Sequence, residues 1–385
     1  MSLPSSNDLP CLAELSDFAI FEDNLSEEQH LLFFDGLIET LSVNTPEDFD
    51  YGWARIQTAG SDNGLWVVLA VHYETGLALE PKLRSRLSDN SLLLQAWFFS
   101  RQTIIPKEKL EVFWEKQVNA LSLQDCEAGL LELKPSWDEN QYTKAAEKIL
   151  ELIAKGDCYQ VNLTMPFFGS HYGHPFALYA RLRKQQPVRY AALIKSQENW
   201  ILSRSPELFV EKHGHLITCR PMKGTARRDK AVGQDFKIAQ ALLSSEKNRA
   251  ENLMIVDLIR NDLGRIAPPG EVRTEALFEI ETYETLHQLT STIKASHVTN
   301  SPVEILNSLF PCGSITGAPK IRAMEIINEL EQRQRGIYCG ALGWIDPEGD
   351  FRFSVPIRTL LLGPDKTCRM DVGSGIVSDS KPDEE

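Results

Sequence analysis

In the first 125 residues, apolar positions cluster in short dense runs and not in helical stripes. "GLWVVLAVHY" and "LLLQAWFFS" are continuous enough to predict buried strands. "EEQHLLFFDGLIETL" fits a helix or a strand equally well. The pattern changes after the polar stretch "LKPSWDENQ", and a boundary falls near residue 130. Ala145, Ile149, Leu152 and Ile153 then recur at helical spacing, Gly156 stops the helix, and "YQVNLT" predicts a strand. Between residues 189 and 225 several strand-like runs are separated by short polar turns, which predicts antiparallel neighbours. Helical rhythm returns at about 232–263 and 318–335, the second ending near Gly336. Strands in "GIYCGALGWI", "DFRFSVPIRTLLLG" and "CRMDVGSGIVSD" close the chain. Helices and strands in runs, without regular βαβ alternation, predict an α+β fold with large antiparallel sheets.

Composition narrows the picture. The 385 residues are 42% hydrophobic and 24% charged, ordinary for a globular protein of two or three domains or one large mixed unit. Forty basic against 54 acidic residues leave a formal charge of -14, so nucleic acid and anionic membrane surfaces are not expected partners. No run approaches the length of a membrane span, and the start has no basic segment leading into an apolar one. Cysteines at 11, 126, 158, 219, 312, 339 and 368 are odd in number and lack C-x-x-C spacing. Free thiols in a reducing compartment, the cytoplasm, are expected.

Against that acidic background "CRPMKGTARR" stands out, with Arg220, Lys223, Arg227 and Arg228 close together. It is either a solvated basic loop or a lysine held in a turn to meet an anion. Glu251 shares a helical face with Ile255 and Leu258, so its carboxylate is a core-edge group or a metal ligand, while Asp257 and Arg260 suit a surface pair. A small-residue loop, Gly313, Ser314, Thr316 and Gly317, runs into a helix with Pro319 in its first turn; it is a simple cap or an anion site. Gly373 and Gly375 allow either a bulge or close approach of a ligand. Arg358 sits in an otherwise apolar strand and needs a partner or an anion. His287 fits a core position or a site. Together these groups suit a small dicarboxylate with a divalent cation.

The blocks "SRSPELF", "RPMKGT", "AENLMIVDLIRNDLGR", "FPCGSITGAPK", "GIYCGALGW", "IRTL" and "GSGIVSDS" resemble, in order, the signatures of the chorismate-utilising enzymes over roughly residues 137–385. The resemblance implies two large antiparallel sheets packed as a sandwich, with helices outside and the active site in a cleft. Residues 1–130 would contribute strands and 131–385 would form the catalytic domain. "PMKGT" is similar to the aminodeoxychorismate synthase component I branch, with anthranilate synthase component I, which carries alanine there, as the alternative. That branch implies Mg²⁺-dependent amination of chorismate at C4 for p-aminobenzoate and folate. Its ammonia would come from a separate glutamine amidotransferase subunit.

By the same resemblance Lys223 is a nucleophile lowered in pKa beside Arg220, Glu207 an acid and base, and His287 an active-site histidine. Thr316, Tyr338, Arg358, Gly373, Gly375 and Gln160 would hold substrate. Gln160 stands where salicylate and isochorismate synthases place a base lysine, so water activation is not expected. Glu251 would bind Mg²⁺. A further ligand comes in the family from an acidic segment after "GIVSDS", and here Glu384 or Glu385 would begin it.

Overall fold

The computed structural model describes residues 12–89 and 91–383. Among them eighteen strands, all antiparallel to their neighbours, form one hydrogen-bonded network. The network folds over on itself into two facing sheets. The long strands His30–Val43 and Leu94–Pro106 run side by side through both. Their bend lies at Gly36, whose left-handed φ of 70° coincides with a register shift between Leu37 and Glu39.

One sheet continues from Asp17–Asp23 through Tyr190–Ser196, Asn199–Ser205, Thr359–Leu362 and Thr367–Ile376 to Gln160–Tyr172. The other continues through Trp66–Val71, Ala341–Ile345, Phe351–Ser354, Leu208–His213 and Leu216–Arg220 to Leu286–Ala295. Strands from the first 130 residues therefore enter both sheets. No helix among the described residues is long and apolar enough to cross a membrane.

Alternation along the strands separates the layers. Ala19, Leu32, Phe34, Val68, Ala70, Trp97, Phe99, Ala192 and Ile194 pack between the sheets. Their chain neighbours point the other way: Phe18, Leu31, Phe33 and Leu193 against one set of helices, Val67, Leu69, Ala96 and Phe98 against another. Both faces of these strands are covered, so the chain shows unbroken apolar runs and the period-2 signal is lost. That is why "HLLFFDGLIETL" could not be told from a helix, and it is a strand.

Helix Glu139–Ala154 starts at a capping box between Asp138 and Gln141 and is followed by Gly156 at φ 80°. The helix expected over 232–263 is two helices, Val232–Ser244 and Glu246–Leu263. Ser245 is extended and accepts a hydrogen bond from the Asn248 amide, so it caps the second and breaks the run. The helix expected over 318–335 is Lys320–Glu331; Gln332, not Gly336, takes the left-handed position that ends it. The six described cysteines are free thiols.

Candidate active site

A cavity of about 570 Å³ opens where the ends of the two sheets meet. Its walls come from strand Thr367–Ile376, the segment around Arg358, the Pro206–Glu207 turn, strand Met222–Arg227 and the turn Gly313–Ile315. Lys223, Glu207, Tyr338, Arg358, Gly373 and Gly375, spread over 169 positions of sequence, all line it.

Lys223 projects from a strand that is irregular at this point. The pairing of Met222–Arg227 with Leu286–Ala295 shifts register between Met222 and Thr225, and Gly224 has φ 80°. A side chain at Gly224 would meet the Asn248 side chain at 3.0 Å. Gln288 fixes the turn, donating to the Gly224 carbonyl at 2.9 Å and accepting from the Thr225 hydroxyl at 3.0 Å. The basic cluster of the sequence is dispersed by the strand. Arg220 forms ion pairs with Glu281 and Glu279, Arg228 binds Asp235 at 2.9 Å, and Arg227 is exposed. Arg220 is therefore committed to carboxylates and is absent from the cavity wall, which corrects its expected role beside Lys223.

Opposite lies Glu207, 3% exposed. Its carboxylate accepts a hydrogen bond of 2.6 Å from the Ser314 hydroxyl. Burial pushes its pKa up to about 7, against the opposing pull of Ser314, Lys223, the Met222 amide and Arg358. The Arg358 backbone is left-handed, φ 52°, and its carbonyl accepts from the Arg204 amide at 3.0 Å. No described carboxylate lies within 4.0 Å of its guanidinium, and burial lowers its pKa. A buried cation facing a cavity in this way is suited to hold an anion.

Strand Thr367–Ile376 brings Gly373 opposite Thr164 and Gly375 opposite Asn162. A Cβ at Gly375 would lie 3.3 Å from the Lys223 ammonium nitrogen and 3.4 Å from Gln160 Nε2. The missing side chain thus makes room for the lysine. Gln160 is fully buried there, and neither polar atom of its amide has a hydrogen-bond partner among the described residues. Gly375→Ala should lower turnover by crowding Lys223 while leaving the unfolding midpoint nearly unchanged, which parallel kinetics and urea titrations would check.

Among the described residues, four expected ones, Gln160, His287, Thr316 and Glu251, stand apart from the wall. His287 is buried behind it, one ring nitrogen 3.0 Å from the Thr282 hydroxyl and the other 2.9 Å from Asp235, while its neighbour Gln288 reaches the cavity. The Thr316 hydroxyl donates back to the Cys312 carbonyl at 2.8 Å and shapes the turn. Glu251 is half-buried on helix Glu246–Leu263, whose Leu258 packs beneath Gly313. Glu384 and Glu385 lie outside the described residues. Among the described residues no group of three or more His, Cys, Asp or Glu side chains could hold a metal ion. The described residues therefore do not by themselves fit a complete magnesium site. The loop ahead of helix Lys320–Glu331 also differs from expectation. Gly317 and Ala318 pair with Val161 and Gln160, and it is the turn residues Ser314 and Ile315, not the helix start, that face the cavity.

Ser314, Asn162, Arg204, Gln288 and Asp371 also line the wall. Ser314 was visible in the sequence only as a member of a small-residue loop. Arg204 and Asp371 sit in strands that carry other polar residues, so the signal that marks Arg358 does not single them out.

A family model described as chorismate binding enzyme matches residues 18–385. Aminodeoxychorismate synthase component 1 of Bacillus subtilis (strain 168) is 37% identical over 286 residues, 72% of this chain and 59% of that protein. Anthranilate synthase component 1 of Aquifex aeolicus (strain VF5) is 33% identical over 288 residues, 74% of this chain and 58% of that protein. The chain thus spans under two thirds of the length of these curated relatives. Among solved structures, anthranilate synthase component I from Streptococcus pneumoniae TIGR4 has a TM-score of 0.76, covering 100% of this chain and 92% of that one at 24% identity, a likeness of fold. With the family match spanning both sheets and the cavity between them, the chain belongs to the chorismate binding enzyme family.

Proposed function

We propose that the chain aminates chorismate at C4, giving 4-amino-4-deoxychorismate on the way to p-aminobenzoate and folate. The observation that carries this reading is Lys223 held in one cavity with the buried carboxyl of Glu207. The name of the Bacillus subtilis relative points the same way. Arg358 would hold a substrate carboxylate, and Tyr338 and the open backbone at Gly373 and Gly375 would shape the floor.

The Lys223 amine attacks C2 as the ring double bond shifts and the C4–O bond breaks. Glu207 gives its proton to the departing hydroxyl, which leaves as water. Ammonia then bonds to C4, the C2–N bond breaks, and the amine of Lys223 is restored. The ammonium formed at C4 returns one proton to Glu207, so the cycle closes with water as the only by-product. The reactive state needs one proton between the two groups, carried by Glu207 and not by Lys223. The raised pKa of Glu207 favours that distribution.

Gln160 beside Lys223 is an amide and cannot act as a base, in keeping with an added amine and not an added water. A glutamine amidotransferase subunit is the proposed ammonia source, and the free thiols suit a cytoplasmic setting. Magnesium remains a proposal resting on Glu251 and on acidic residues outside the described ones, and no step is derived through it.

Purified protein with chorismate, Mg²⁺ and an ammonium salt should yield 4-amino-4-deoxychorismate, resolved by chromatography with mass detection. Fluorescent anthranilate as the main product would refute amination at C4 and assign the chain to the alternative reaction.

A further inference from the structure

Glu207 is buried, and something must decide where its carboxyl points and how readily it gives up a proton. The nearest polar contact comes from Ser314, whose hydroxyl is 2.6 Å from the carboxylate while being only 4% exposed itself. On its other side the Ser314 oxygen lies 3.2 Å from the Cys312 sulfur. Burial pushes that thiol up to about 12, so it stays protonated and can donate to the hydroxyl. A thiol, a hydroxyl and a carboxylate thus form a directed chain in which the single Ser314 proton is aimed at Glu207.

The turn that carries Ser314 is held from several sides. Thr316 donates to the Cys312 carbonyl at 2.8 Å, and the buried Arg335 donates to the Ile315 carbonyl at 3.1 Å. The carboxyl itself is tethered through its backbone, where the Glu207 amide donates to Ser205 Oγ at 3.2 Å. Ser314 therefore cannot drift away from Glu207 without breaking the turn.

We infer that Ser314 is a positioning residue which orients the Glu207 carboxyl towards the cavity and sets the pH at which it releases its proton. The inference rests on Glu207 being the acid of the proposed reaction. A hydrogen bond donated to a carboxylate favours the ionised form, so Ser314 works against burial. The other charged groups acting on Glu207 are Lys223 and Arg358, with Tyr283 acting in turn on Arg358. None of them is altered by truncating Ser314.

The test is Ser314→Ala, with Ser314→Thr as the conservative variant that keeps a hydroxyl. Protein carrying ¹³C-labelled glutamate carboxyls is titrated without substrate, and Glu207 is assigned as the resonance missing from Glu207→Gln. The Ser314→Ala titration midpoint should rise by about one to two pH units, the effect of losing a hydrogen bond to a charged group. Ser314→Thr should return it towards the parent. The alkaline limb of the chorismate consumption profile should move by the same amount.

A Glu207 midpoint unchanged in Ser314→Ala overturns the inference, whatever the rates do. A shifted midpoint in a protein that makes no aminated product would uphold the Ser314–Glu207 coupling and count against the reaction alone.

Discussion

Glu207→Gln is expected to cut chorismate turnover by about 10²- to 10⁴-fold, the usual contribution of a positioned acid. Glutamine keeps the volume and an oxygen to accept from Ser314, but it has no proton to give the departing hydroxyl. Substrate binding should change far less, because Arg358 remains in the wall to hold a carboxylate. The sign of the pH dependence follows from the folded pKa of about 7, raised from the ordinary 4.5 by burial. Below that value the carboxyl is protonated and able to act as an acid. As pH rises through it the acid is lost, so the parent rate should fall on the alkaline side. Glu207→Gln should lack that limb altogether. Steady-state kinetics across pH 5.5 to 9 would check both points, and a variant within a few-fold of the parent would remove Glu207 from the reaction. Lys223→Ala provides the companion measurement. If the lysine is the nucleophile, added primary amines of small size should restore part of the lost rate.

Much of this site could be named from sequence because its chemistry sits in contiguous blocks. "RPMKGT", "SRSPELF", "IRTL" and "GSGIV" each deliver two or more residues to the cavity. What the sequence could not convey was the direction of each side chain. His287 and Gln288 are adjacent on one strand, so they face opposite ways, and the cavity meets the glutamine. Thr316 and Ser314 are two apart in a tight turn, where no period applies, and the inward hydroxyl is that of Ser314. Arg220 and Lys223 are three apart but on successive strands either side of Pro221, and they end in different environments, one amid carboxylates and one in the cavity. The large antiparallel sheets were legible from the runs of short strands, and their packing as a sandwich was implied only by the resemblance to the chorismate-utilising enzymes. The bend at Gly36 that lets two long strands serve both sheets was not, because a glycine in an apolar run marks a bulge or a break equally well.

Arg335 carries the other large expected effect, on stability. It is 1% exposed and pairs with Glu331, equally buried, at 2.7 Å. Its guanidinium also donates to the Ile315 carbonyl at 3.1 Å and the Asn162 carbonyl at 2.6 Å, both on residues that line the cavity. Its backbone amide is bound by Glu74, and its charge lies 4.5 Å above the Tyr73 ring. Arg335→Ala would leave Glu331 as a buried carboxylate with only Thr164 and Arg333 near it, and two carbonyls without their donor. Breaking a buried pair from one side costs about 3–5 kcal/mol, more than most surface changes by several-fold.

The urea midpoint of Arg335→Ala should therefore drop markedly. Because the same guanidinium steadies the turn behind Ser314, turnover of the folded fraction should fall with it. The double variant Arg335→Met/Glu331→Leu removes both charges and should be more stable than Arg335→Ala, since no uncompensated carboxylate remains. It should still turn over poorly, as neither new side chain can donate to the Ile315 carbonyl. Equal midpoints for Arg335→Ala and the parent would mean that the clamp contributes nothing to folding. Recovery of stability without recovery of rate in the double variant would separate the two roles of Arg335, one in holding the fold and one in holding the wall of the cavity.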